Sequence, residues 1–304
     1  MTAQMPESIT NISKPIPSFN WNRIWIGLPL VLVAIGLIAA GSWAWTLACA
    51  WVFWQSFYEL NQLFLAKDIH LSRTSVLFTG IGFVALAHWQ LKAYFLPLLT
   101  LGILLSFFRI LTRSPRASVV DMGSTFFAIF YVSFLPMHFI LLRELNTPAG
   151  LPVLQQPGCF YVLFTCLVIA ASDVFAYYAG KAFGREPFYP QISPKKTREG
   201  ALGGLVGGIL IGQLLVLLLR QLTHTHALVL SLLVVIVAQF GDLLESLIKR
   251  EAGVKDSGTL FQSHGGLLDR VDSYLLSGAV AYYYIYWFVL NEGQFRQLWP
   301  LRLL

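Results

Sequence analysis

Nine long apolar runs divide this sequence, and they constrain its fold more than any other feature. The runs are near the length of ~20 residues that a helix needs to cross a hydrocarbon core of ~30 Å. They occupy residues 24–41, 43–58, 75–91, 93–109, 123–142, 159–182, 201–220, 227–248 and 273–290. Backbone amides in lipid must be satisfied within the protein, and the alternating pattern of barrel strands is absent. The chain is therefore predicted to be an all-α polytopic membrane protein with about nine transmembrane helices.

The composition excludes the other main classes of chain. Charged residues make up 12% of the 304 residues, about half the share typical of a soluble domain, and the mean hydropathy is +0.65. A disordered chain would instead be poor in apolar residues and rich in charge. Cys49, Cys159 and Cys166 all lie inside apolar runs, so neither a disulfide framework nor a CxxC metal pair is expected.

The basic residues indicate the orientation of the helices. With a cytoplasmic N-terminus, nine spans leave sixteen of the 21 lysines and arginines in inner segments. The other five fall in outer segments, namely Lys92, Arg143, Arg220, Arg296 and Arg302. This asymmetry is what the positive-inside rule expects. The net charge of +6 therefore reflects membrane topology, and no nucleic-acid partner is expected.

The polar segments divide the chain into a tail and two groups of transmembrane helices. Residues 1–20 are polar and predict a disordered cytoplasmic tail. Residues 21–145 are expected to form N-terminal transmembrane helices. Residues 146–304 are expected to form the C-terminal transmembrane helices, and they include the two longest inner loops, 183–200 and 249–272, which hold most of the functional interest.

Carboxylates inside a membrane span are costly and are functional candidates by default. Asp242 and Glu245 lie in the span 227–248 and share a helical stripe with Lys249. Two acids this close repel each other unless a cation or a proton is bound with them. The structural alternative for the pair is an interhelical salt bridge or a protonated acid.

The loop after this span adds charge at the same end. Asp269 and Asp272 are three residues apart and share a face of the last span. Carboxylates from two helix ends suit a Mg²⁺ ion that bridges substrate phosphates. Gly265 and Gly266 would let backbone amides approach a phosphate, although a glycine pair alone more often forms a turn. His264 alone is more often a local hydrogen-bonding residue.

A second polar set precedes the loop 183–200. Asp173, Tyr177 and Lys181 are spaced by four and line one face of the span 159–182. Snorkelling at the interface is the alternative for Lys181. The basic loop around Lys195 and Lys196 would hold either a triphosphate or anionic lipid headgroups. Rows of glycine follow at positions 200, 204, 208 and 212 and predict close helix packing.

These motifs together resemble the phosphatidate cytidylyltransferases, also called CDP-diacylglycerol synthases. The specific part is a long spaced pattern, Ser246-x-x-Lys249-Arg250-x4-Lys255-Asp256 followed by His264-Gly265-Gly266-x-x-Asp269-Arg270-x-Asp272. Three further pieces stand in family order, namely Ser172-Asp173-x-x-Ala176-Tyr177-x-x-Gly180-Lys181, Ser193-Pro194-Lys195-Lys196-Thr197-x-Glu199-Gly200 and Gly241-Asp242-Leu243-x-Glu245. The resemblance covers roughly the C-terminal half. One departure is that Gln262-Ser263 stand where the family usually has Pro-Gly.

The resemblance implies an integral membrane enzyme that uses CTP and phosphatidate to make CDP-diacylglycerol and pyrophosphate. Such a reaction needs positioning and charge neutralisation more than a protein nucleophile. The expected catalytic residues are Asp242, Lys249, Asp269 and Asp272. The expected Mg²⁺ ligands are Asp242 and Asp269, supported by Glu245, with a second cation left open. The expected phosphate-binding residues are Lys195, Lys196, Arg250, Lys255, Arg270, His264, Gly265 and Gly266, with Asp173, Tyr177 and Lys181 in support.

Two alternatives stay open at this point. One is the same chemistry on another lipid phosphate, such as an ether or isoprenoid lipid, because apolar spans have no readable code for acyl chains. The other is a proton- or cation-coupled transporter with Asp173, Asp242 and Glu245 as its relay, which leaves the loop 249–272 without a role. For the enzyme, the site is expected to face the cytoplasm and to admit the lipid laterally. The compact size favours a bacterial plasma membrane, and a homodimer is left open.

Overall fold

A computed structural model describes residues 32–112, 118–147, 151–260 and 265–291, with only the backbone at position 154. The tail 1–20 therefore lies outside the described residues. Contacts divide the chain into Met1–Gly36 and Leu37–Leu304. Of the first unit, residues 32–36 are described and are helical. All elements discussed below belong to the second unit.

The predicted spans form helices wherever the chain is described. The helices are α1 (Ser42–Leu65), α2 (Arg73–His88), α3 (Phe95–Leu111), α4 (Val119–Ala128), α5 (Met137–Glu144), α6 (Pro157–Phe183), α7 (Arg198–Leu219), α8 (His224–Glu251) and α9 (Leu268–Tyr284). Two segments of π-helix extend them: Ile129–Phe134 follows α4, and Ile285–Leu290 follows α9. Short 3₁₀ turns, Lys92–Tyr94 and Val153–Gln155, precede α3 and α6.

Five helical segments in the described part of the chain are long and apolar enough to cross a membrane. They are Lys92–Leu111, Val119–Glu144, Pro157–Phe183, Arg198–Leu219 and His224–Glu251. The 16-residue α2 falls short of the usual ~20 residues. The 24-residue α1 and α9 with its π-helical extension are long enough but less apolar. An all-α membrane protein is thus confirmed, whereas nine spans and a cytoplasmic N-terminus stay predictions.

The loop 183–200 contains a β-hairpin that the sequence analysis did not predict. Strand β1 (Pro187–Tyr189) pairs antiparallel with β2 (Ser193–Thr197), with Pro187 opposite Thr197. Strand β2 leads directly into α7, because the Thr197 hydroxyl accepts a hydrogen bond from the Gly200 amide at 3.1 Å and caps the helix. The strand and cap hold Lys195 and Lys196 next to the helix start.

Glycines bring α6 and α7 close together, as their spacing predicted. A methyl group at Gly204 would lie 2.9 Å from both the carbonyl oxygen and the hydroxyl of Ser172, and 3.1 Å from the Cβ atom of Ala176. A methyl at Gly200 would lie 2.9 Å from the Ala176 carbonyl oxygen. Only glycine allows this approach without a shift of the backbone, so the polar face of α6 lies directly against α7.

We expect Gly204→Leu to destabilise the protein by about 1–3 kcal/mol, because a larger side chain overpacks the α6–α7 contact. The matched control is Gly123→Leu in α4, where a methyl group would meet nothing within 4 Å. Thermal unfolding in detergent measures both. Equal melting temperatures for the two variants would contradict the packing role of Gly204.

Candidate active site

A cavity of about 540 Å³ lies between α6, the hairpin, α7 and α8. It brings together side chains that the sequence analysis selected from three separate segments. Its lining includes Asp173, Tyr177 and Lys181 from α6, Lys195 and Lys196 from β2, and Asp242 from α8. The lining therefore combines two carboxylates with three lysines, which suits a ligand with several phosphates together with a cation.

Asp242 is the central acid of this cavity. Its carboxylate forms an ion pair with the Lys196 ammonium, and the two side chains are 31% and 33% exposed. The Asp242 carboxylate also interacts electrostatically with that of Asp173. Because both partners of the ion pair reach the cavity, an incoming anion and cation have access to Lys196 and Asp242 respectively.

A second cluster of charged side chains is shielded from solvent. The Lys249 ammonium lies between two acids, in an ion pair with Glu245 and 2.6 Å from the Oδ1 atom of Asp269. The side chains of Glu245, Asp269 and Lys249 are 0%, 9% and 11% exposed. The Glu245 carboxylate is fully buried, and the Lys249 ammonium compensates its charge. We refer to Glu245, Lys249 and Asp269 as the buried triad.

Asp269 also holds the loop that precedes α9. Its Oδ2 atom accepts hydrogen bonds from the Ser257 amide at 2.9 Å, the Ser257 hydroxyl at 3.0 Å and the Gly266 amide at 2.8 Å. The amide of Gly266, predicted to meet a phosphate, thus donates to a carboxylate here. Gly265 has φ +80°, a left-handed conformation that favours glycine.

Asp272 lies one turn after Asp269 in α9 and is buried. Its Oδ1 atom accepts a hydrogen bond from the Ser273 amide at 2.6 Å, and its carboxylate interacts electrostatically with those of Asp242 and Asp173. A methyl group at Gly241 would lie 2.6 Å from the Asp272 carbonyl oxygen. This close contact of α8 with α9 brings the open cavity and the buried triad next to each other.

The remaining predicted phosphate-binding residues lie outside the cavity lining. Arg250 donates hydrogen bonds to the carbonyl oxygens of Ile192 at 3.4 Å and Val254 at 3.1 Å, and so ties the hairpin to the end of α8. Lys255 and Arg270 are exposed. His264 and the departure Gln262-Ser263 lie outside the described residues.

The carboxylates of the cavity suit a metal ion that arrives with a nucleotide. Among the described residues, no three histidine, cysteine, aspartate or glutamate side chains are grouped to hold a metal by themselves. Mg²⁺, however, usually takes only one or two carboxylates from the protein and the rest of its ligands from phosphates and water. Asp173 and Asp242, which share the cavity lining, meet that requirement. Asp269 and Glu245 are both engaged by Lys249.

Two further residues beside the site were missed by the sequence analysis. Glu59 in α1 is 2% exposed, and it accepts hydrogen bonds from Ser257 and from the start of α9. Tyr131 lies in the π-helical segment after α4. Its hydroxyl has no hydrogen-bond partner among the described residues, and it interacts electrostatically with Asp272. The signal for Glu59 was present, because it is a carboxylate directly after the apolar run 43–58.

The fold and the site together define an integral membrane protein whose helix ends enclose a charged cavity. The family model described as the cytidylyltransferase family matches residues 21–288. The match covers most of the chain, and the chain belongs to this family.

Several curated relatives are named phosphatidate cytidylyltransferase. Phosphatidate cytidylyltransferase 5, chloroplastic, of Arabidopsis thaliana is 36% identical over 295 residues, which cover 86% of this chain and 71% of the relative. Phosphatidate cytidylyltransferase 4, chloroplastic, of the same plant is 43% identical over 190 residues, 57% of this chain and 47% of that protein. The phosphatidate cytidylyltransferase of Synechocystis sp. is 34% identical over 275 residues, 84% of this chain and 92% of the relative.

We expect Lys249→Met to cost about 3–5 kcal/mol of stability, because it leaves two carboxylates in the buried triad without their cation. The control is Glu186→Gln, which breaks the ion pair with Arg198, whose side chains are 64% and 65% exposed. That exposed pair is expected to contribute at most about 1 kcal/mol. Denaturant unfolding in mixed micelles gives both values. Similar losses in the two variants would show that the triad is not a buried charge network.

Proposed function

We propose that this chain transfers the cytidylyl group of CTP to phosphatidate, giving CDP-diacylglycerol and pyrophosphate. The observation that carries the proposal is the cavity in which Asp173 and Asp242 face Lys195 and Lys196, in a chain of the cytidylyltransferase family. Relatives that match most of the chain are named for this activity. The charged lining and the apolar helices around it suit one substrate with a triphosphate and one with acyl chains.

In the proposed reaction, a phosphate oxygen of phosphatidate attacks the α-phosphorus of CTP. A new P–O bond forms as the bond to the β-phosphate breaks, and pyrophosphate leaves with the electron pair. The protein contributes alignment and charge compensation rather than a nucleophile. Lys195, Lys196 and Lys181 bind phosphate oxygens at the cavity wall, while Arg250, Lys255 and Arg270 hold charge at its rim.

We further propose that Asp242 and Asp269 hold Mg²⁺, with Glu245 and Asp272 in support. When bound, the ion neutralises charge on the phosphates of CTP. Asp242 is supported by its exposure to the cavity and by Asp173 beside it. Asp269 is supported by its place one turn before Asp272, whose carboxylate interacts electrostatically with that of Asp242, and Lys249 compensates its charge.

The proposed topology has nine spans with a cytoplasmic N-terminus, in a bacterial plasma membrane, and a site that opens to the cytoplasm. Its orientation, with a cytoplasmic N-terminus, is supported by the distribution of lysine and arginine. The described helices at every predicted span are consistent with it. CTP reaches the site from the cytoplasm, and the lipid enters between the helices. The assay below distinguishes phosphatidate from an ether-lipid phosphate as the lipid substrate.

We expect the purified protein to release pyrophosphate only when CTP, phosphatidate and Mg²⁺ are all present. Asp242→Asn should lower the turnover number by about a hundredfold or more, because it removes a negatively charged ligand of the proposed Mg²⁺ ion. Asp68→Asn is the matched control, since Asp68 is 96% exposed and lies in the loop after α1. The assay measures pyrophosphate and the lipid product together.

Each outcome of this assay has a distinct meaning. Full activity of Asp242→Asn would remove Asp242 from the site while leaving the function in place. Turnover with an ether-lipid phosphate but not with phosphatidate would change the substrate. No turnover with either lipid, under conditions in which a related enzyme is active, would contradict the transferase.

The topology is tested with single cysteines at exposed positions. In intact bacterial cells, a membrane-impermeant maleimide should label Thr225→Cys, which begins α8 on the proposed outer side. It should label Asp256→Cys only after permeabilisation. The unmodified chain is the background control for its own cysteines, of which Cys49 and Cys159 are buried and Cys166 is half-buried. Labelling of Asp256→Cys in intact cells would contradict a cytoplasmic site.

A further inference from the structure

Glu59 is a buried carboxylate that belongs to α1, far in sequence from the residues of the candidate site. Its side chain is 2% exposed, and its main partners lie 198 to 209 residues further along the chain. A charge in such a place is costly unless it is fully compensated by hydrogen bonds or opposite charge. The contacts of Glu59 therefore indicate what it does.

Four donors lie within hydrogen-bond distance of the Glu59 carboxylate, two at each oxygen. Oε1 accepts from the Gln55 amide at 2.8 Å and from the Leu267 backbone amide at 2.9 Å. Oε2 accepts from the Leu268 backbone amide at 2.8 Å and from the Ser257 hydroxyl at 3.0 Å. Two of the four donors are backbone amides at the start of α9, where the helix dipole favours a negative charge.

Ser257 connects Glu59 to Asp269. The Ser257 hydroxyl lies 3.0 Å from Oε2 of Glu59 and 3.0 Å from Oδ2 of Asp269. A hydroxyl has one proton, so it donates to one carboxylate at a time. The Ser257 amide donates to Asp269 in addition, at 2.9 Å. The sequence of contacts thus runs from Glu59 through Ser257 and Asp269 to Lys249.

Two glycines lie directly against the Glu59 carboxylate. A methyl group at Gly258 would lie 3.0 Å from the Glu59 carboxyl carbon. Gly266 also lies against Glu59, and a methyl group there would overlap the carboxylate. Side chains at either position would push the loop away from α1. Gly258, next to Ser257, and Gly266, before α9, therefore leave room for the Glu59 carboxylate.

We propose that Glu59 is a positioning residue for the transferase site. By fixing Ser257 and the first turn of α9, it sets where the Asp269 carboxylate stands relative to Lys249 and the cavity. A helix of the N-terminal half thereby determines the geometry of a motif in the C-terminal half. This inference rests on the proposed function for its kinetic test, but its structural test is independent of that function.

The test compares Glu59→Gln with Asp121→Asn. Both changes replace a buried carboxylate of the N-terminal half with an amide of the same shape, and both carboxylates accept backbone hydrogen bonds. Asp121 in α4 is 5% exposed. It accepts a hydrogen bond at 2.8 Å from the backbone amide of His70, which lies in the loop between α1 and α2. The glutamine amide would turn an N–H₂ group toward existing donors, which loosens the start of α9.

We expect both variants to lose several degrees in melting temperature but to differ in kinetics. Glu59→Gln should lower kcat by about 10- to 100-fold, as a small displacement of reacting groups can do. Its KM for CTP should change by less than about threefold. Asp121→Asn should keep kcat within about threefold of the unmodified protein. A loss of kcat that is equal in the two variants, or absent in Glu59→Gln, would overturn the proposal.

Hydrogen exchange and a second variant cover the remaining outcomes. Peptides that include residues 257–269 should exchange faster in Glu59→Gln than in Asp121→Asn, and unchanged exchange would overturn the proposal even if the unmodified protein proves inactive with phosphatidate. If Glu59→Gln does not fold, Ser257→Ala removes the hydroxyl that joins the two carboxylates and keeps the backbone bonds of Leu267 and Leu268. A normal kcat in folded Ser257→Ala would then contradict the proposal.

Discussion

The interaction on which the site depends is the placement of one lysine between two buried acids. Lys249 stands between Glu245 on its own helix and Asp269 at the start of α9. Two carboxylates with little solvent exposure would repel each other strongly, so the ammonium makes their approach favourable. The approach in turn fixes how α8 and α9 meet. Removing one member would leave an uncompensated charge where water has little access.

The charged side chains of the candidate site thus form two neighbouring sets that differ in solvent exposure. Asp242 and Lys196 are about one-third exposed and line a cavity, so water or a ligand can replace either partner. Glu245, Lys249 and Asp269 are enclosed, and their geometry is set by several contacts at once. A site that binds charged substrates benefits from this arrangement, because mobile ion pairs exchange partners while the enclosed groups keep their positions.

The motifs of the C-terminal half predicted much of this site but not its internal order. Asp173, Lys196 and Asp242 were each selected from the sequence, and the cavity brings them together. The hairpin that presents Lys196 was not predicted, because its strands are 3 and 5 residues long and too short for a clear alternating pattern. Glu59 was missed because it belongs to no motif, at the end of the apolar run 43–58, and its partners lie some 200 residues away.

By itself, the sequence determined the helical membrane architecture, the order of the motifs and the kind of side chains at the site. These properties depend on local periodicity and on residue type, since an apolar run in lipid must satisfy its own backbone. Only the tertiary structure decided which acids face the cavity and which are enclosed with Lys249. Helical spacing places residues on one face of a helix, but it carries no information on which other helix or loop that face meets. Partners such as Glu59 and Ser257 meet only when distant helices pack.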